Sequence, residues 1–176
     1  MPRITTSMLF SAAIVVTVLN YAGSVRATPA VGFTATTVLS GRFGEIDVVS
    51  KSLIPDSSEN DLRAKAWLSV QKTEGPSDLY VQRNVWQPGG STGWHTHPGQ
   101  SLIIVTAGTV TEYQGPDPDC KPHAYATDMT FVDPHGEHVH IIRNEGNVVA
   151  RTIAVQLIPA GTARRTDVAD PGNCHF

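Results

Sequence analysis

An all-β fold, a sandwich or barrel of short strands, is predicted for this chain of 176 residues. Three observations predict it. Short β-branched or alternating segments recur along most of the chain after Thr34. Clusters of Gly, Pro, Asn, Asp and Ser separate them. No convincing amphipathic helix interrupts the series.

The first residues differ in kind. Arg3 gives a positive start, Met8–Ala22 is mostly apolar, and Val25-Arg26-Ala27 offers small residues at a cleavage position. The apolar run is too short to span a bilayer, and Asn20 interrupts its end. Residues 1–27 read as an export signal, with Thr28 the first mature residue. The mature protein is expected to be periplasmic or secreted, without stable membrane insertion.

Residues 28–176 form one predicted domain, long enough for a real core. Thr34–Ser40 and Ile46–Ser50 are rich in Thr, Val and Ile, as pleated surfaces favour. Pro55-Asp56-Ser57-Ser58 reads as a turn, and Ser58–Lys65 supports one or two helical turns at most. Ala64–Gln71 and Leu79–Trp86 are separated by Glu74-Gly75-Pro76-Ser77, and Pro88-Gly89-Gly90 reads as the break that follows. Ser101–Thr106 and Val110–Gln114 flank Gly108, which permits a tight turn. Gly115-Pro116-Asp117-Pro118 precedes His123–Ala126, Met129–Val132 and His138–Arg143. Asn144-Glu145-Gly146-Asn147 then leads into Val148–Ile158.

Charge and cysteine usage narrow the partners. The net charge is −3, with no basic run or stripe, so nucleic acid is excluded as a partner. Cys120 and Cys174, an even pair in an exported chain, are predicted to form a disulfide pinning the C-terminal tail to a loop.

The chemistry concentrates in two histidine pairs. His95 and His97 stand two residues apart, so in an extended strand both rings project from one face. Converging imidazoles suit a borderline first-row metal ion. His138 and His140 repeat the spacing in an apolar, β-prone context, and either can complete the site.

These segments resemble the cupins, small double-stranded β-helix (jelly-roll) barrels with a central metal. Gly89, His95, His97 and Gly108 match the first cupin motif, with Ser101 where the motif has a glutamate. Pro134, Gly136, His140 and Asn144 match the second, with Asp128 in place of its glycine and one extra residue before His140. The motif core spans residues 89–144 of a single barrel.

The resemblance implies His95, His97 and His140 as ligands of a divalent transition metal: iron, manganese, zinc or nickel. With Ser101 in place of a carboxylate, the set is three neutral imidazoles, and the ion keeps its full charge for a small anionic molecule. Gln100 and Ser101 are candidate oxygen ligands. His138 is a candidate fourth ligand or the group that orients His140, and the spacing from His140 to Asn144 favours His140 as the third ligand.

Other residues receive plainer readings. Tyr80, Trp86 and Trp94 read as core or rim packing, and Arg83 and Arg143 as solvated ion pairs. His123, His135 and His175 read as surface residues. Asp133 and Glu137 are near the motif in sequence only, so no general acid or base is identified. Ser101 sits in no nucleophile elbow, which excludes serine hydrolysis.

Three functions fit: an Fe(II) dioxygenase, a metal-dependent isomerase or lyase acting on a small acid, and an exported module that binds without chemistry. Catalysis stays open between them. The expected partners are a small anionic molecule and a second copy of the chain. Protonated imidazole cannot coordinate, so metal affinity is expected to fall as the pH drops through about 6.5. Metal titration between alkaline and acidic pH measures this, and a flat curve contradicts an all-histidine shell.

Overall fold

The computed structural model describes residues 26–53, 66–133, 136 and 138–176. Most of the predicted export signal, the Ser58–Lys65 segment, Pro134, His135 and Glu137 lie outside these residues. The described residues contain twelve strands and no helix. Among the described residues, no helix is long and apolar enough to cross a membrane.

The principal sheet is antiparallel throughout and curls into a nearly closed barrel. One face carries β1 (Val31–Phe43), β4 (Ser77–Ser91), β11 (Ala150–Pro159), β6 (Ser101–Ala107) and β9 (Thr130–Asp133), each paired with the next. The other carries β12 (Thr166–Asp167), β5 (His95–Thr96), β10 (His140–Arg143), β7 (Thr109–Gln114) and β8 (His123–Ala126). The two faces join where Ser91 of β4 pairs with Arg143 of β10. β2 (Asp47–Leu53) and β3 (Ala66–Lys72) form a separate two-stranded sheet.

Strand alternation decides what enters the interior. Along β6, Ser101, Ile103 and Val105 point inward while Leu102 and Ile104 are exposed. β11 buries Ala150, Thr152, Ala154, Gln156 and Ile158 in the same rhythm. Trp86, Ile103, Val105, Val110, Phe131, Ile142, Ala150 and Ala154 pack between the two faces as the main core. Ile141, one residue from Ile142, faces the other way and joins Trp94, Tyr113 and Cys174 in a second cluster beneath the C-terminal tail.

Most predicted strands are present, with two differences. The predicted break at Pro88-Gly89-Gly90 lies inside β4, because the extra residues are absorbed as a bulge. The pairing with β1 jumps there from Phe33↔Trp86 to Val31↔Ser91, and Gly89 takes a φ of 75°. A Cβ on Gly90 would lie 2.7 Å from the Gly32 carbonyl oxygen, so the two backbones meet only through glycine. The two-residue strands β5 and β12 have no sequence pattern to announce them.

Asn144 locks the bulge. Its backbone N–H donates to the Gly90 carbonyl and its carbonyl accepts from the Gly89 N–H, both at 2.9 Å. Its side-chain amide donates to the Trp86 and Val148 carbonyls. The motif asparagine is therefore a structural staple.

Cys120 and Cys174 are bridged, with Cα atoms 5.3 Å apart and a sequence separation of 54. A loop of that length contributes about 4 kcal/mol on the chain-entropy model. Replacing both cysteines with serine is expected to lower the melting temperature by roughly 8–16 °C, read by calorimetry.

Candidate metal centre

His95 is set by its approach strand. Gly93 has a φ of 69°, and a Cβ there would lie 2.3 Å from the Thr28 carbonyl oxygen. Only glycine fits. The Gly93 carbonyl then stands 2.9 Å from His95 Nδ1 and accepts its hydrogen. His97, just past β5, donates Nδ1–H to the Arg164 carbonyl at 2.7 Å. That oxygen also accepts the side-chain amide of Gln156 at 3.2 Å. On β10, His140 is fully buried and its Nδ1 lies 3.1 Å from Glu112 Oε1 on β7.

Each Nδ1 thus has an acceptor oxygen beside it, His97 Nδ1 also meeting the Gln156 amide nitrogen at 3.0 Å, and with Nδ1 protonated each Nε2 keeps a lone pair. The ligand atoms of His95, His97 and His140 lie within 4.8 Å of one another. The Nε2 atoms of His95 and His140 are 3.1 Å apart. Neither has a hydrogen to share, so the pair is repulsive unless a cation lies between them. The donor set fits a borderline first-row divalent ion.

Electrostatics favours the neutral, ligating form. Burial holds His95 well below the ordinary histidine range, with His140, Arg165 and His97 adding to the effect. Burial likewise lowers His97 to about 4. The proton competition expected near pH 6.5 therefore moves to lower pH at both rings.

Sequence reasoning missed two carboxylates. Glu112 shares the inward face of β7 with Val110 and orients His140. Asp133, placed near the motif in sequence only, is in the site. It ends β9 directly opposite Ser101 of β6, with Oδ2 3.2 Å from His97 Nε2. Its Oδ1 lies 3.5 Å from His140 Nδ1 and has no hydrogen-bond partner. Burial pushes Asp133 up to about 7. Alternation from Phe131 would have pointed it inward, had the predicted strand not stopped at Val132.

The other candidates separate. Ser101 is buried and lines the cavity beside the histidines. Gln100, one residue earlier, is exposed on the opposite side and lines a different cleft, apart from this group. His138 precedes β10 rather than lying in it, so the two-residue spacing does not carry its ring to His95 and His97. It joins Glu112 and His140 in a second group, half-buried.

Trp86 and Trp94 are core residues, and Trp86 also walls the cavity. Arg143 pairs with Glu145 at 3.4 Å and stacks over Phe176, whereas Arg83 is exposed. His123 and His175 are exposed as expected.

The cavity holds about 90 Å³. His95, His97, Ser101 and Asp133 line it with Phe33, Asn84, Arg164 and Arg165. Clefts of about 370 and 450 Å³ lie beside the β2–β3 hairpin and touch none of these histidines.

Residues 83–156 match the family model described as a cupin domain. This segment is a cupin domain. Similar solved structures include an oxalate oxidase, 22% identical over 47% of this chain and 46% of that one, with a TM-score of 0.39. Peruvianin-I, a cysteine peptidase from Thevetia peruviana latex, is 28% identical over 52% of this chain and 56% of that one, with a TM-score of 0.43. A cupin superfamily protein from Desulfitobacterium hafniense DCB-2 is 13% identical over 63% and 78%, with a TM-score of 0.39. The chain spans about half the length of the first two. No curated protein matches it.

The cupin site makes metal-free stability depend on pH. Folded His97 protonates near 4 and the unfolded residue near 6.5, so acidification through that interval favours the unfolded chain by about 3 kcal/mol. Asp133 opposes it. Its carboxyl protonates near 7 when folded and near 3.8 when unfolded, so its contribution fades as the pH rises between them. His95, lowered like His97, tips the balance. Chelator-treated protein is expected to be less stable at about pH 4.5 than at pH 7 in urea melts; greater stability in acid contradicts this assignment.

Proposed function

We propose that the protein is an exported metal-binding cupin that holds a divalent transition metal through His95, His97 and His140 and captures a small anionic molecule beside it. The observation that carries this reading is the convergence of three Nε2 lone pairs whose Nδ1 atoms are all held from behind. When bound, such an ion supplies Lewis-acid polarisation of an oxygen donor and open coordination positions.

The chain's own residues support an anionic occupant. Arg164 and Arg165 line the cavity next to His95 and His97. Arg165 is anchored by the Thr92 carbonyl and Asp167, and the Arg164 guanidinium lies over the Tyr80 ring at 5.3 Å. Gln82 Nε2, Asn84 Oδ1 and Gln156 Oε1 line the same cavity, buried and without hydrogen-bond partners. A polar molecule satisfies them. Drug-sized ligands occupy roughly 300–1,000 Å³, so about 90 Å³ selects a molecule of only a few heavy atoms. The apolar segment following Arg3 and the Cys120–Cys174 bridge support export.

Elemental analysis of protein from its native compartment, followed by oxygen-uptake assays with small acids, tests the reading. Iron with substrate-dependent uptake selects a dioxygenase. Manganese, nickel or zinc with conversion of a small acid and no uptake selects an isomerase or lyase. Metal without turnover selects a binding module. Replacing His95 and His97 together with alanine is expected to abolish stoichiometric metal while the barrel stays folded; undiminished metal overturns the site. Arg164→Gln, which spares the carbonyl that holds His97, is expected to weaken binding of a small carboxylate by roughly tenfold in calorimetric titration.

A further inference from the structure

We propose that Asp133 is the anionic ligand of this centre, supplying from β9 the carboxylate that β6 lacks at Ser101. The inference rests on the metal reading above and deepens it.

Asp133 is 2% exposed, and among the described residues no lysine or arginine pairs with it. A buried carboxylate without a cation is costly. Its Oδ2 lies 3.2 Å from the free Nε2 of His97, while Oδ1 lies 3.5 Å from Nδ1 of His140, the nitrogen that Glu112 also holds. Since His97 Nδ1–H is committed to the Arg164 carbonyl, Nε2 offers Asp133 a lone pair rather than a hydrogen. Two acceptors so placed are held together by a shared metal ion or by a proton on the carboxyl. Oδ1 is buried without any hydrogen-bond partner, and the side chain lines the same cavity as His95 and His97.

The register explains how the carboxylate arrives there. Ser101 and Asp133 are directly opposite in the β6–β9 ladder, both inward, as cross-strand partners about 5 Å apart at Cβ. A short side chain on β6 leaves the space that Asp133 enters. The donor set is then three imidazoles and one carboxylate, which leaves a divalent ion a net charge of about +1. Attraction of an anionic molecule falls more heavily on Arg164 and Arg165.

Cobalt(II) titration of chelator-stripped full-length protein at neutral pH, read by calorimetry and by the visible spectrum, tests the assignment. Asp133→Asn is expected to weaken cobalt binding by roughly 10- to 100-fold and to shift the visible bands. Adding Ser101→Glu to that variant is expected to restore most of the affinity, a rescue that a packing role for Asp133 does not produce. Asp133→Glu, which keeps the charge, covers the case in which the asparagine variant does not fold, and its cobalt bands are expected to move. Wild-type affinity and an unmoved spectrum in Asp133→Asn, or unmoved bands in Asp133→Glu where only that variant folds, overturn the inference while the three-histidine site stands. Wild-type protein that takes up no cobalt overturns the metal reading itself.

Discussion

Each imidazole of the centre is held by its Nδ1, and the three holding groups come from three different parts of the chain. His95 is held by the turn before its own strand, His97 by the segment entering β12, and His140 by β7 across the sheet. The centre is therefore a tertiary property, assembled only when the tail lies along β5. That tail is tied down by the Cys120–Cys174 bridge, by the pairing of Thr166 and Asp167 with Thr96 and His95, and by Phe176 against Trp94 and Tyr113. The Arg164 carbonyl that holds His97 belongs to this tail, outside the main core. Stability at the C-terminus and geometry at the centre are one constraint.

Burial has opposite effects on the two kinds of group gathered there. It disfavours the charged form of both, keeping His95 and His97 neutral and driving Asp133 towards its protonated form. A divalent ion resolves both tendencies, because it takes neutral imidazole and stabilises carboxylate. The inward polar residues of β4 and β11, among them Gln82, Asn84, Thr152 and Gln156, have the same logic. Only the Asn84–Thr152 pair is satisfied across the strands, at 3.2 Å, and even there Asn84 Oδ1 is left over. An interior built only for stability would carry apolar side chains at these positions.

The sequence announced whatever follows strict periodicity or motif spacing. The strands and the grouping of His95 and His97 with a histidine of the second motif were readable because alternation and motif spacing are local rules, and the disulfide because the chain has a single even pair of cysteines. What was not readable depended on where strands begin and end. His138 falls outside β10 and so loses the face it would have shared with His140. Asp133 was missed because the predicted strand ended one residue early. Glu112 sat in a correctly predicted strand, yet nothing local distinguishes a carboxylate facing a histidine from one facing solvent. Arg164 and Arg165 reach the cavity from a tail whose two-residue strand has no periodicity at all.

The core and the cavity compete for the same interior. Phe33, Trp86, Ile103 and Ile142 wall the cavity with their apolar surfaces, and Trp86, Ile103 and Ile142 also form the packing between the two faces. Phe33 and Trp86 contact each other with ring centroids 4.8 Å apart. Widening the cavity at Trp86 would remove a large part of the core, at a cost of roughly 3–5 kcal/mol for truncation to alanine. Any molecule entering the cavity is thereby restricted in size by residues that stability cannot spare. Discrimination among molecules small enough to enter then falls to charge and hydrogen bonding, which the arginines and the unpaired amides of β4 and β11 provide.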